Sequence, residues 1–153
     1  MTTAHVLDPT MLREYDIRGI VGDNLGPDDA RAIGRAFGTI VRRSGGRIVA
    51  LGRDGRLSSP ELAAALADGL TQSGAEVLDI GLGPTPMLYF AVHELAADAG
   101  VQLTGSHNPP DYNGFKMMLG KSSFFGERIQ ELGRMSAAGD LESGSGEHRT
   151  VDL

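Results

Sequence analysis

Apolar positions along this chain follow two rhythms: short continuous runs, and stripes at helical spacing. Continuous runs at 47–52, Glu76–Leu82, Ala99–Leu103 and 115–119 each predict a buried strand. The stretch 12–22 mixes charge with β-branched residues and ends in glycine, which predicts a further strand with a polar entrance. Between the runs lie helical stripes. Ala30, Ile33, Phe37, Ile40 and Val41 form the first, opened by Gly26-Pro27-Asp28-Asp29 and closed by Arg42, Arg43 and Gly45-Gly46. Leu62, Ala65, Leu66, Gly69 and Leu70 form the second. Its start reads as a capping box, with Ser58 as cap and Glu61 reaching back, and Ser73-Gly74 stops it. The third runs over 86–97, with Thr85 as cap and Pro86 in the first turn. Ile129, Leu132 and Met135 mark the last, which ends at Gly139. Strands alternating with helices in this way predict a three-layer α/β domain. Residues 143–147, Ser-Gly-Ser-Gly-Glu, have linker composition.

Composition narrows the classes. The 153 residues suffice for one real core, and 41% apolar with 22% charged residues is ordinary for a globular chain. A net charge of −6 argues against nucleic acid, though not against a local basic pocket. The chain has no cysteine, which excludes disulfides, thiolate zinc sites and cysteine nucleophiles. Residues 1–10 lack the apolar core of a signal peptide, and the longest apolar run, 87–92, is too short to span a bilayer. A cytoplasmic protein without membrane contact is expected.

The chemistry concentrates in one loop between two predicted strands. Residues 104–116 bring together a hydroxyl (Ser106), an imidazole (His107), an amide (Asn108), an acid (Asp111) and an amine (Lys116). Pro109 and Pro110 stiffen the loop, and Gly105 and Gly114 let it turn at either end. By composition alone it could be an ordinary proline-rich turn. A serine on a stiff loop after a strand is also where α/β proteins place a reacting group. A serine-hydrolase elbow does not fit, because Gly105-Ser106-His107 lacks the second glycine. His93 has no metal-ligand neighbour at helical spacing.

The run Ser106-His107-Asn108-Pro109-Pro110-Asp111-Tyr112-Asn113-Gly114-Phe115-Lys116 resembles the phosphoserine loop of the α-D-phosphohexomutases, within the phosphomannomutase/phosphoglucomutase branch. Tyr15-Asp16-Ile17-Arg18-Gly19, Gly52-Arg53-Asp54-Gly55-Arg56 and Pro84-Thr85-Pro86 resemble further stretches of that family. The second of these either steadies the serine loop or is only a strand-to-helix turn, and the third reads as architectural. Gly105 departs from the family, which more often has alanine before the serine. Arg42-Arg43-Ser44-Gly45-Gly46 faintly echoes the phosphate loop of the family's last domain, but at a helix end it reads as a cap.

The resemblance implies a three-layer α/β/α domain with a mixed, mostly parallel sheet, of the phosphoglucomutase first-domain type. Residues 1–138 would form the first of four domains, and 139–153 the linker toward a second. Ser106 would carry the phosphoryl group between hexose 1-phosphate and 6-phosphate through a bisphosphorylated sugar. Lys116 would move the hydroxyl proton, Arg18 would neutralise the phosphoryl oxygens, and Tyr15, His107 and Asn108 would position phosphoserine or substrate. The family's Mg²⁺ is held by the phosphate on Ser106 and by three aspartates of an Asp-Gly-Asp-x-Asp-Arg loop, which this chain lacks. The chain alone is therefore expected to be inactive, with downstream domains as partners and an exposed inter-domain face prone to self-association. The alternative is a non-catalytic sugar-phosphate or protein-binding module derived from the same domain.

Overall fold

A computed structural model of the chain describes residues 4–105, 107–120 and 122–152. After a 3-10 turn at Pro9–Met11 come β1 (Ile17–Ile20), α1 (Pro27–Arg43), β2 (Ile48–Arg53), α2 (Ser59–Gln72) and β3 (Glu76–Leu82). Then follow α3 (Thr85–Glu94), β4 (Ala99–Leu103), β5 (Tyr112–Leu119), β6 (Ser122–Ser123), α4 (Glu127–Ala138) and β7 (His148–Thr150). Among the described residues the strands form one sheet in the order β1-β5-β4-β2-β3-β7, with β6 on the end of β5. β2 runs parallel to β3 and β4, and β3 parallel to β7, whereas β5 is antiparallel to β1, β4 and β6. The sheet is thus mixed and mostly parallel, with β5 alone reversed.

Alternation along the strands divides the core in two. Ile17, Val49, Leu51, Val77, Val101, Leu103, Phe115 and Met117 face α1, α2 and α4 in the larger cluster. Ala50, Ile80 and Met118 face the other way, against Leu88, Ala91 and Val92 of α3. This is the expected three-layer domain, with one helix on its thinner side. The close approach of α1 and α2 depends on Gly34 and Gly69. A Cβ at either would overlap backbone of the other helix, at Leu66 O or Arg31 O.

Local predictions hold in kind and shift at their ends. The 12–22 strand contracts to β1, and β5 begins at Tyr112 because Tyr112 and Asn113 pair with Ile20 and Gly19. α1 opens as expected, its Asp29 carboxylate accepting from Gly26 N at 2.9 Å. The capping box at Ser58 does not form: Ser58 makes no side-chain cap bond, and its hydroxyl instead accepts from Asn113 Nδ2 at 2.9 Å. Thr85 is the first residue of α3 rather than its cap. That helix stops at Glu94, short of Ala97, where Ala96 adopts φ 51°.

The largest departure is at the C-terminal end. Residues 143–147, read as linker from composition, are held against the domain. Gly144 N and Gly146 N donate to Gln72 O and Thr71 O at 2.8 and 2.9 Å. Buried Arg35 donates to Glu142 O and Ser143 Oγ at 3.0 and 2.8 Å. β7 then pairs with β3 from His148 to Thr150. Glycine and serine serve here as small residues at a close contact, a use that composition cannot separate from flexibility. Among the described residues no helix is long and apolar enough to cross a membrane.

Candidate functional site

The 104–111 loop joins the C-terminal end of β4 to the start of β5. At its base Thr104 N donates to Gly114 O at 2.9 Å, and Val21 N, leaving β1, donates to Asp111 O at 2.8 Å. Within it, Asn108 N and Nδ2 both donate to Gly105 O, at 3.0 and 2.9 Å, and Tyr112 N donates to Pro109 O at 2.9 Å. Ser106, the central residue of the sequence reading, lies outside the described residues. His107 is exposed. The side-chain amide of Asn108, expected to position a ligand, is engaged inside the loop.

The turn after β2 holds this loop from the side. Asp54 N donates to Leu103 O at 2.9 Å, tying the end of β2 to the end of β4. The Asp54 carboxylate accepts from Gly105 N at 3.0 Å, Ser59 Oγ at 2.7 Å and Arg56 N at 3.1 Å. Arg56 then reaches across: Nη1 donates to Pro109 O at 2.6 Å and Tyr112 O at 3.1 Å, and Nη2 to Asn108 O at 2.8 Å. Burial works against the charged form of Asp54, but hydrogen bonds from Ser59, Gly105, Arg56 and Thr104 outweigh it and hold the carboxyl below its ordinary value. Of the two readings left open for Gly52–Arg56, the geometry answers for the first: this turn steadies the loop. Behind it, Asn113 Nδ2 bridges Ser58 and Ser59 at 2.9 and 3.0 Å, fastening β5 to the start of α2.

Arg18 and Lys116 come together on one face of the sheet. Arg18 follows the core residue Ile17, and Lys116 sits between core residues Phe115 and Met117, so both point away from the larger core. Arg18 lies across from Gly114, two residues along β5 from Lys116. Both are half-buried, beyond the part of the sheet covered by α3. Asp16 orients Arg18, accepting from Nη2 at 3.1 and 3.0 Å. Arg18 Nε is buried with no hydrogen-bond partner among the described residues. The Lys116 side chain carries neither ion pair nor hydrogen bond to any described residue. Tyr15 precedes β1, 74% exposed, its ring 6.2 Å from that of Phe125. The sequence carries no signal for Phe125 beyond the tandem Phe124-Phe125. Phe124 enters the core, so its neighbour turns outward.

Elsewhere the chemistry is less open. A cavity lined by His5, Asp28, Arg31, Arg35 and Gln72 lies among the outer helices. Its arginines are already engaged, Arg31 by Asp28 and Asp68 and Arg35 by residues 142–143. Among the described residues no group of three or more His, Cys, Asp or Glu is placed to hold a metal ion.

Comparison with known proteins decides the family. A family model described as phosphoglucomutase/phosphomannomutase, alpha/beta/alpha domain I, matches residues 9–137. The chain belongs to this family. A phosphomannomutase/phosphoglucomutase of Pseudomonas aeruginosa is 48% identical over 150 residues, which are 98% of this chain and 32% of that protein. A phosphoglucomutase of Neisseria gonorrhoeae is 56% identical over 122 residues, 80% of this chain and 26% of that protein. The crystal structure of a phosphoglucomutase/phosphomannomutase family protein from Burkholderia thailandensis superposes with TM-score 0.92 at 45% identity, over 96% of this chain and 34% of that one. This domain I chain thus spans about a third of the relatives it matches.

Proposed function

We propose that this chain is the phosphoryl-carrying first domain of a hexose-phosphate mutase, interconverting 1- and 6-phosphates through a phosphoserine at Ser106 and a bisphosphorylated sugar. The observation that carries the reading is the cationic pair behind the braced loop. Arg18, with a buried Nε lacking a partner among the described residues, and Lys116 share one uncovered sheet face. A buried orphan donor is costly unless something accepts from it, and a phosphoryl oxygen is a matching acceptor.

In this reading a sugar hydroxyl oxygen attacks the phosphorus on Ser106; the new sugar O–P bond forms as the P–Oγ bond breaks. Lys116 takes the hydroxyl proton and returns it to the departing serine oxygen, so no net charge is lost. Arg18 neutralises the oxygens of the moving group. Reversal from the other phosphoryl group of the bisphosphate restores the phosphoserine. Tyr15 and the loop residues His107 and Asn108 shape the approach. Ser106, through its phosphate, would help to hold Mg²⁺, which would supply further charge neutralisation when bound.

A direct test replaces the matching first third of the Pseudomonas aeruginosa relative with this chain. The chimaera should turn over glucose 1-phosphate, and peptide mapping after exposure to glucose 1,6-bisphosphate should find phosphate on Ser106. Ser106→Ala should abolish both. Lys116→Met should lower kcat by about 10²–10⁴-fold, the usual worth of a positioned acid-base group. Stable label elsewhere with Ser106 bare, or near-normal kcat without the amine, contradicts the assignment. A folded chimaera with no label favours a non-catalytic binding module instead.

A further inference from the structure

Pro109 and Pro110 have no N–H, so this stretch of the loop offers backbone acceptors in excess of donors. Three such acceptors, the carbonyls of Asn108, Pro109 and Tyr112, converge on the guanidinium of Arg56. That side chain is only 15% exposed, and its Nε is turned toward Asp54 Oδ2 at 3.3 Å. The same Asp54 oxygen accepts from Gly105 N, so residue 105 is held by the carboxylate. It is also covered by the arginine: a Cβ built on Gly105 would overlap Cζ and Nε of Arg56. The guanidinium thus lies directly against the backbone at Gly105.

We infer that Arg56, oriented by Asp54, is a positioning residue for phosphoryl transfer, setting the loop conformation from which residue 106 reacts. The inference rests on the function proposed above and adds a residue with no direct part in the chemistry. Its Nη1 and Nη2 donate to the chain's own carbonyls. A planar fork is required, because one group must meet three carbonyls fixed by two prolines and a strand start. Lysine keeps the charge but presents a single tetrahedral ammonium on a flexible stem. A misplacement of about 1 Å at a reacting centre costs on the order of 10²-fold in rate.

The test uses the 153-residue chain and the chimaera together, with Arg56→Lys and Arg56→Met. In the chain, hydrogen exchange at the Gly105, Asn108 and Tyr112 amides should quicken in both variants, while amides of β2, β3 and β4 keep their protection. In the chimaera, kcat should fall by about 10–10²-fold with KM changed less than threefold, and lysine should rescue little. A purely structural role would lower the melting temperature and leave kcat per folded molecule unchanged, and that result overturns the inference. So does an Arg56→Lys variant with normal kcat, or unchanged exchange in the loop. If the methionine variant fails to melt cooperatively, the lysine variant alone decides between these outcomes. An unsubstituted chimaera that folds but never labels Ser106 overturns the functional reading itself, and the positioning role with it. An active parent with indifferent Arg56 variants overturns only the positioning role.

Discussion

At the scale of single residues, Asp54 shows how one carboxylate can set a loop. It gathers a hydroxyl and two amides while exposing little of its side chain. Its pKa is lowered on folding, so its contribution to stability is present above the ordinary carboxylate range and is lost as pH falls through the depressed value. Asp54→Asn removes the charged acceptor with little change in shape. It should cost about 1–3 kcal/mol of unfolding free energy at neutral pH, measured by urea denaturation. The difference between the two proteins should shrink toward zero in acid, where Asp54 is itself protonated. A penalty that stays constant with pH would show that the charge is not what matters.

Among the elements, the short strand β7 and the strap before it behave as part of the domain. Removing residues 140–153 would strip Arg35 of Glu142 O and Ser143 Oγ, and would leave Thr39 Oγ1 without Glu142 N. A buried guanidinium without acceptors is expensive. The truncated chain should lose about 2 kcal/mol or more, roughly 4–8 °C in Tm for a chain of this size. The uncovered edge of β3 should also promote association through strand pairing. Differential scanning calorimetry and light scattering check the two effects separately. An unchanged Tm would return 140–153 to the status of a loose connector.

For the whole molecule, the layers make a complete core while the site stays open on one side. Phe37, Phe115, Phe124 and Met11 are fully enclosed, whereas Leu57, Leu82, Tyr89, Phe90 and Phe125 remain exposed. The 153-residue chain should therefore unfold in one cooperative transition and show no detectable turnover of glucose 1-phosphate. Mg²⁺-dependent turnover by these residues alone, followed by a coupled assay for glucose 6-phosphate, would refute the assignment of the remaining groups to other domains. The exposed aromatic and leucine side chains should make it self-associate at high concentration, as read by sedimentation velocity.

Local rhythm determined which elements exist. Each stripe or run needs only its own neighbours to bury one face, so α1, β2, β3 and β4 could be read within a few residues of their ends. The loop chemistry was equally local, since Ser106, His107 and Lys116 lie on one short stretch that resembles a known family. Tertiary structure decided what binds across distance. That Arg56 serves the loop as well as its own turn depends on carbonyls 52 to 56 residues away. That Ser58 answers Asn113 instead of capping α2 depends on a partner 55 residues on. Whether Gly144 and Gly146 flex or pack depended on the shape of the surface at Gly74 and Ala75. Periodicity reports how a segment meets an apolar core, while a polar side chain's partner is chosen by whichever group the fold carries within about 3 Å of it.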